Sequence, residues 1–269
     1  MSRILYAQPI AEKIQRILTK QIKKTTKRPI LAIILVGNNA ASERFILHKV
    51  KKAEEFSLGV RLVHLPSSIP AKTLERTIHD LNKDKEVAGI VVQLPLPKKF
   101  SASTIITAID PTKDVDNLWG DSPYISPTVQ AIWELLGATR MKNLKHRNVL
   151  IVGYGRLVGK PLHEFLKKKG FTSITIADKF TKNLSDLLTE ADIVITGIGK
   201  PQYITNIKKG AIVIDAGTTN IKGKLYGDID FKRVAPKASY ITPVPGGVGI
   251  LTVLFLYKNL LKAATNTTQ

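Results

Sequence analysis

Residues 148–178 read NVLIVGYGRLVGKPLHEFLKKKGFTSITIAD, and this stretch decides the fold. NVLIVG is a short apolar run ending in glycine, the pattern of a buried parallel strand. Gly153, Gly155 and Gly159 follow at once, and the segment through Lys168 predicts a helix. The next apolar run, SITIAD, ends on Asp178. Glycines at a strand-to-helix turn let the backbone approach a pyrophosphate, which then lies at the helix N-terminus. An acid closing the next strand stands where ribose hydroxyls are accepted. The pattern predicts a dinucleotide site built from Gly153, Tyr154, Gly155, Arg156 and Gly159, with Asp178 at the ribose. A lone glycine turn would be equally well read as structural; the strand before, the helix after and the acid beyond favour binding. The nucleotide stays open at this point. Asp178 suits NAD, whereas Lys179 and Arg156 suit the 2′-phosphate of NADP.

Working outward, ADIVITGIG (191–199) and AIVIDAG (211–217) are further apolar runs ending near Gly or Asp, and Gly199 joins the expected cofactor set. An earlier rhythm precedes them. Helical periodicity over residues 7–25 is followed by LAIILVG (31–37), a helix from about Ser42 to Phe56, RLVHL (61–65), a helix at Leu74–Leu81 and AGIVVQLPLP (88–97). Such a β–α–β–α–β order implies a parallel sheet with right-handed crossovers. The two rhythms meet near a helix at 128–137, and ILTVLFLYKNLLKA (250–263) is apolar with helical spacing. The expected fold is α/β in two domains, the second of Rossmann type.

The first rhythm carries its own polar constellation. Phe45, Lys49 and Lys52 fall at i, i+4 and i+7, hence on one helical face. Gln93 closes a buried strand, where open α/β sheets hold their ligands, and Asp114 and Asp116 flank Val115 just beyond. Taken singly, each has a structural reading: a helical lysine is commonly solvated, and a glutamine near proline can simply satisfy backbone groups.

The chain has 269 residues and a net charge of +20, from 41 Lys+Arg against 21 Asp+Glu. The cations are spread along the chain, as in Lys20–Arg28, Lys49–Lys52 and Lys167–Lys169, with no aromatic-rich RNA motif or zinc-finger spacing beside them. They read as a solvated surface and a field for anionic ligands, and nucleic acid is not the expected partner. No cysteine is present, which excludes disulfides, thiolate catalysis and Cys-ligated zinc. No run reaches the roughly 18 uninterrupted apolar residues of a membrane span, and MSRILYAQPIAEK has no secretory h-region. The expectation is a cytoplasmic protein with no membrane partner and no metal.

Six blocks, in order, cover nearly the whole chain: LVGNNAASERFILHKVKKAEEFSLGV (35–60), GIVVQLPLP (89–97), PTKDVDN (111–117), VGYGRLVGKP (152–161), GAIVIDAG (210–217) and YITPVPGGVG (240–249). Together they resemble the bifunctional methylenetetrahydrofolate dehydrogenase/methenyltetrahydrofolate cyclohydrolase family of one-carbon metabolism. The resemblance implies a folate-binding catalytic domain at 1–127 joined by a C-terminal helix at 246–269, and a Rossmann NAD(P)-binding domain at 128–245. It implies oxidation of 5,10-methylenetetrahydrofolate with NADP, then hydrolysis of the methenyl product, in a cleft between the domains. Lys49 matches the family's catalytic lysine, Gln93 the glutamine that orients it, and Asp116 the aspartate on the pterin's amino edge. Pro245, Gly246 and Gly247, in the PVPGGVG segment, match a loop lining the folate pocket. Polyglutamylated tetrahydrofolates and a homodimer through the cofactor domains complete what the resemblance implies.

Several positions depart from the family. Phe45 stands where a tyrosine is usual, so stacking on the pterin survives and a hydroxyl does not. The stretch at 117–128 is shorter than usual, Ile250 replaces a proline, and Gly155 replaces a serine. These departures leave, as the alternative, a dehydrogenase with weakened cyclohydrolase activity. A basic α/β protein that only binds is the competing class, and the trio Lys49, Gln93 and Asp116 argues against it.

Overall fold

The computed structural model describes residues 3–25, 27–118 and 120–266. In chain order the elements are β1 (Arg3–Ile4), α1 (Gln8–Ile22), β2 (Ile30–Val36), α2 (Ala40–Glu55), β3 (Gly59–Leu65), α3 (Ala71–Lys83), β4 (Val87–Val92), α4 (Ala102–Thr107) and α5 (Pro127–Ala138). They continue with β5 (Val149–Val152), α6 (Gly159–Lys168), β6 (Ile174–Ala177), α7 (Leu184–Glu190), β7 (Ile193–Thr196), β8 (Ile212–Asp215), β9 (Thr219–Ile221), β10 (Lys224–Tyr226), α8 (Phe231–Val234), β11 (Tyr240–Ile241) and α9 (Val248–Asn266). The chain forms two compact units: Lys13–Pro127 with the chain from Val253 onward, and Thr128–Thr252 with the chain up to Glu12.

The unit built around Lys13–Pro127 holds the parallel sheet β3-β2-β4. Six of the seven residues of β2 and all of β4 are buried, as parallel strands covered on both faces must be. Its core joins Ile34, Leu74, Ile78, Ile90, Ile105 and their neighbours. The segment after α4 docks beside β4: Ile90 N–H donates to Lys113 O at 2.8 Å. Gly89 permits this approach, since a Cβ there would lie 2.7 Å from Val115 Cγ1 and 2.8 Å from Leu260 Cδ1. Lys113 anchors the segment. Its buried ammonium donates to Leu81 O (3.0 Å) and Asp84 O (2.7 Å), capping the end of α3. Asp114 and Asp116 are thereby carried beside β4, the strand that leads into Gln93.

The expected C-terminal helix at 246–269 is helical over Val248–Asn266; residues 267–269, like Trp119 in the shortened stretch, lie outside the described residues. By length and composition alone, Val248–Thr265 is apolar enough to cross a membrane. It is packed as a core helix instead: Leu254, Phe255, Leu256, Tyr257, Leu260 and Leu261 are buried.

The other unit holds a six-stranded sheet, β1-β11-β8-β7-β5-β6, parallel throughout. β6 and β7 flank β5 on opposite sides, so the strand order reverses there. Ligands of open α/β sheets bind in the crevice at such a switch point, beyond the carboxyl ends of the strands. All four residues in each of β5, β7 and β8 are buried, and their side chains form a core with Ile204, Ile229, Val234 and Ile241. β1 escapes sequence reading because two residues carry no periodicity; its register with β11 pairs Arg3 with Tyr240. β9 and β10 form a hairpin turned by Lys222 and Gly223, both at positive φ.

Candidate active site

The Asn39 side chain accepts the N–H groups of Ala41 and Ser42 and so starts α2. From that start, Phe45, Lys49 and Lys52 share one helical face. The buried Ser42 hydroxyl donates to Leu94 O at 3.2 Å and ties the first turn of α2 to the QLPLP segment. Gln93, directly after β4, donates its own N–H to Ile34 O. Its side-chain Nε2 donates to Leu94 O at 2.9 Å, which leaves Oε1 to accept from Lys49 Nζ, also at 2.9 Å. The sequence-predicted pair Lys49–Gln93 is therefore brought together in direct contact. Lys52 is not part of it and pairs with Glu55. Phe45 is 46% exposed, an aromatic face open to solvent on the same helix.

Asp116 completes an electrostatic pair with Lys49. Burial pushes the Lys49 ammonium below the usual lysine range, and the Asp116 carboxylate partly opposes that. Burial raises the Asp116 carboxyl, and Lys49 opposes that in turn. Each group is thus moved toward its neutral form by desolvation and held toward its charged form by the other. Asp114, on the far side of Val115, is buried and pushed up to about 7, first by burial and then by the Asp116 charge. Its carboxylate accepts Asn117 N–H at 2.8 Å.

Asn117, at φ 47, organises the short loop that follows. Its Oδ1 accepts from Gly120 N (2.9 Å) and Ser122 N (3.3 Å), and its Nδ2 donates to Tyr124 O. Sequence reasoning marked this loop as shortened and did not single out the residue that knits it. It also missed two polar residues on α9. The Tyr257 hydroxyl, its phenol raised by burial, donates to Lys49 O at 2.7 Å. The fully buried Asn259 amide donates to Val115 O and Ile125 O, both at 2.9 Å. One helix therefore pins the backbone of both halves of the site. The single available signal was a Tyr and an Asn within an otherwise apolar run.

The expected folate-loop residues Pro245, Gly246 and Gly247 lie just before α9, in the unit with the six-stranded sheet. Gly246 has φ 116 and its carbonyl accepts Ala7 N–H at 2.9 Å. The Leu94–Pro95 and Val244–Pro245 peptide bonds are both cis.

The glycine turn after β5 sits at the switch point. Gly153 has φ 96, and a Cβ on Gly159 would lie 1.9 Å from Gly153 O, so α6 begins pressed against the turn. A Cβ on Gly155 or Gly199 would meet nothing within 4 Å, which leaves both backbones open to a ligand. A compressed turn with an open Gly155 before a helix N-terminus fits a pyrophosphate, and Gly199 is open in the loop after β7. Tyr154 is exposed, and its hydroxyl lies 3.2 Å from His163 Nδ1. Asp178 closes β6, exposed; its Oδ1 accepts Phe180 N–H at 2.9 Å and is 3.3 Å from the Thr181 hydroxyl. One carboxylate oxygen is therefore partly committed to its own turn. Lys179, next to Asp178, and Arg156, in the glycine turn, are both exposed, with Lys179 Nζ 4.9 Å from the Phe180 ring centre.

Two family models match the chain. Residues 5–116 match "Tetrahydrofolate dehydrogenase/cyclohydrolase, catalytic domain", and residues 126–268 match "Tetrahydrofolate dehydrogenase/cyclohydrolase, NAD(P)-binding domain". The bifunctional protein FolD of Rickettsia bellii is 38% identical over 280 residues, covering 98% of each chain. Among solved structures, the Trypanosoma brucei N5,N10-methylenetetrahydrofolate dehydrogenase-cyclohydrolase complexed with NADP and an inhibitor superposes with TM-score 0.93 at 30% identity, covering 100% of this chain and 99% of that one. The Campylobacter jejuni bifunctional enzyme gives TM-score 0.91 at 33% identity, covering 99% of each chain.

Proposed function

The chain belongs to the tetrahydrofolate dehydrogenase/cyclohydrolase family, and from that premise we propose that it oxidises 5,10-methylenetetrahydrofolate to the methenyl cation with NADP and hydrolyses that cation to 10-formyltetrahydrofolate. The observation that carries the proposal is the Lys49 Nζ–Gln93 Oε1 hydrogen bond at 2.9 Å, with Asp116 as the lysine's charge partner.

Bound NADP supplies the hydride acceptor. The methenyl cation is stabilised by its two flanking nitrogens, so oxidation needs no general base, and the protein's task there is alignment. Asp116 grips the amino edge of the pterin, a two-point contact suited to a carboxylate, and Phe45 offers its exposed ring for stacking. Hydrolysis needs proton transfer to and from the attacking water. Burial lowers the Lys49 ammonium, so it gives up its proton more readily than a solvated lysine, and Gln93 holds its Nζ in one direction while it does so. Gly153, Tyr154, Gly155, Arg156, Gly159 and Gly199 hold the cofactor, with Asp178 at the ribose and Lys179 and Arg156 available to the 2′-phosphate. The basic surface attracts the anionic tail of polyglutamylated folates. The reading extends to a cytoplasmic homodimer, which light scattering of the purified protein tests.

Purified protein given 5,10-methylenetetrahydrofolate should reduce NADP, and supplied methenyltetrahydrofolate should be hydrolysed without cofactor. No reduction of NADP or NAD would overturn the dehydrogenase assignment. Lys49→Met should abolish enzymatic hydrolysis while folate binding persists; unchanged hydrolysis would remove Lys49 from its role. Phe45 favours a second reading in which hydrolysis is the weaker activity, and Phe45→Tyr should then raise the hydrolysis rate alone.

A further inference from the structure

Two buried carboxylates behind the cofactor crevice have no part in the chemistry above. Asp228 is fully buried. Its Oδ2 accepts from the Thr196 hydroxyl and Ile198 N–H, both at 2.8 Å, and its Oδ1 accepts Lys200 N–H at 2.8 Å. Asp215, 2% exposed at the end of β8, accepts the N–H groups of Gly217, Asp228 and Ile229. The two are interlocked through glycines. A Cβ on Gly217 would lie 2.1 Å from Asp228 Cγ, and one on Gly227 would lie 2.1 Å from Asp215 Oδ2. A buried carboxylate surrounded by backbone donors is costly unless each acceptor position is used, and here it fixes the conformation of the donors.

The donors to Asp228 run from Thr196, the last residue of β7, into the loop after it, which lies against the glycine turn. A Cβ on Gly153 would lie 2.5 Å from Ile198 Cγ2, and one on Gly197 would lie 2.8 Å from Val158 Cβ. The turn after β5 and the loop after β7 therefore form the two walls of the switch-point crevice. On the reading above, with Asp178 at the ribose, the adenosine half of the cofactor lies over β6 and the nicotinamide half crosses toward β7 and β8. Gly199 sits between the two residues whose N–H groups Asp228 holds, its open face unobstructed and its carbonyl fixed by the Thr219 hydroxyl at 2.9 Å.

We propose that Asp228 is a positioning residue for the dehydrogenase: it holds the Gly197–Lys200 loop in the shape that receives the nicotinamide half of the cofactor. The proposal rests on the NADP-dependent reading above and makes no demand on the hydrolytic site, since Lys49, Gln93 and Asp116 share no hydrogen bond with the Asp215–Asp228 network among those described.

Asp228→Asn keeps the shape and replaces one acceptor with a donor facing backbone N–H. Gly217→Ala displaces the Asp228 carboxylate without changing its chemistry. In cofactor-free protein, hydrogen exchange of the 197–203 segment should accelerate on the order of tenfold in either variant. kcat/KM for NADP-dependent oxidation should fall on the order of tenfold or more, because hydride transfer is sensitive to small misplacements. Methenyl hydrolysis, assayed without cofactor, and binding of 2′,5′-ADP, the adenosine half alone, should both stay within about twofold. Unchanged exchange in both variants, an unaffected oxidation rate, or equal loss of oxidation and hydrolysis would each overturn the proposal. Failure of the family reading itself would show differently, as absence of NADP reduction in the unaltered protein.

Discussion

Replacing Gln93 by glutamate should move the pH dependence of methenyl hydrolysis toward alkali. The amide oxygen accepts from Lys49 Nζ at 2.9 Å, so a carboxylate oxygen in its place stands at about the same distance. At that spacing and an effective dielectric of about 20, unit charges attract by roughly 6 kcal/mol. Residual solvent access to Lys49, and the cost of setting a second carboxylate near Asp116, remove most of this. A net of about 1.5–3 kcal/mol, the worth of a charged hydrogen bond, converts to about 1–2 pH units at about 1.36 kcal/mol per unit. The sign follows from charge. An added anion favours the protonated lysine, raises its lowered pKa, and delays formation of the neutral amine as pH rises. Gln93→Met removes the acceptor without adding charge, and should move the same limb toward acid by a similar amount. The assay is the initial rate of loss of the methenyl chromophore across pH, corrected for buffer-driven hydrolysis. If both variants keep the unaltered midpoint, or both move it the same way, the hydrogen bond does not tune Lys49 and the reasoning fails.

Asn259→Leu keeps the volume and removes the amide that donates to Val115 O and Ile125 O, which should cost about 2–4 kcal/mol, read as a lowered midpoint in urea. Gly159→Ala should weaken NADP binding by more than about tenfold in titration while cofactor-free hydrolysis continues, because the new Cβ meets Gly153 O at 1.9 Å. Asp114 is a carboxyl raised to about 7, so its stabilising contribution is complete below the ordinary value of 3.8 and is lost as pH rises through about 7. Asp114→Asn should therefore gain in Tm relative to the unaltered protein between pH 4 and 8; parallel Tm curves would refute the raised carboxyl.

The parallel strands and the glycine turn were legible because their signals are local. A buried strand such as β7 is four apolar residues in a row, and a tight turn under a helix requires glycine wherever it occurs. Lys49, Gln93 and Asp116 stood out only through the resemblance; composition and spacing alone favoured a structural reading of each. Tyr257 and Asn259 were not legible, since their partners lie 208 and 144 residues away and helical spacing records only that the helix is apolar. Lys113 reads as one more surface cation, yet its partners are the last carbonyls of α3. The same holds for Asp215 and Asp228. In the sequence each is an acid near a strand end.

By itself, then, the sequence determined the sheet type, the cofactor turn and the residue types available for folate chemistry, because periodicity and glycine placement are properties of neighbours along the chain. Only the tertiary structure decided which carbonyls Tyr257 and Asn259 hold, in which direction burial moves Lys49 and Asp114, and which loop Asp228 clamps. Desolvation and hydrogen-bond pairing depend on what surrounds a side chain in three dimensions, and that environment is assembled from segments the sequence keeps far apart.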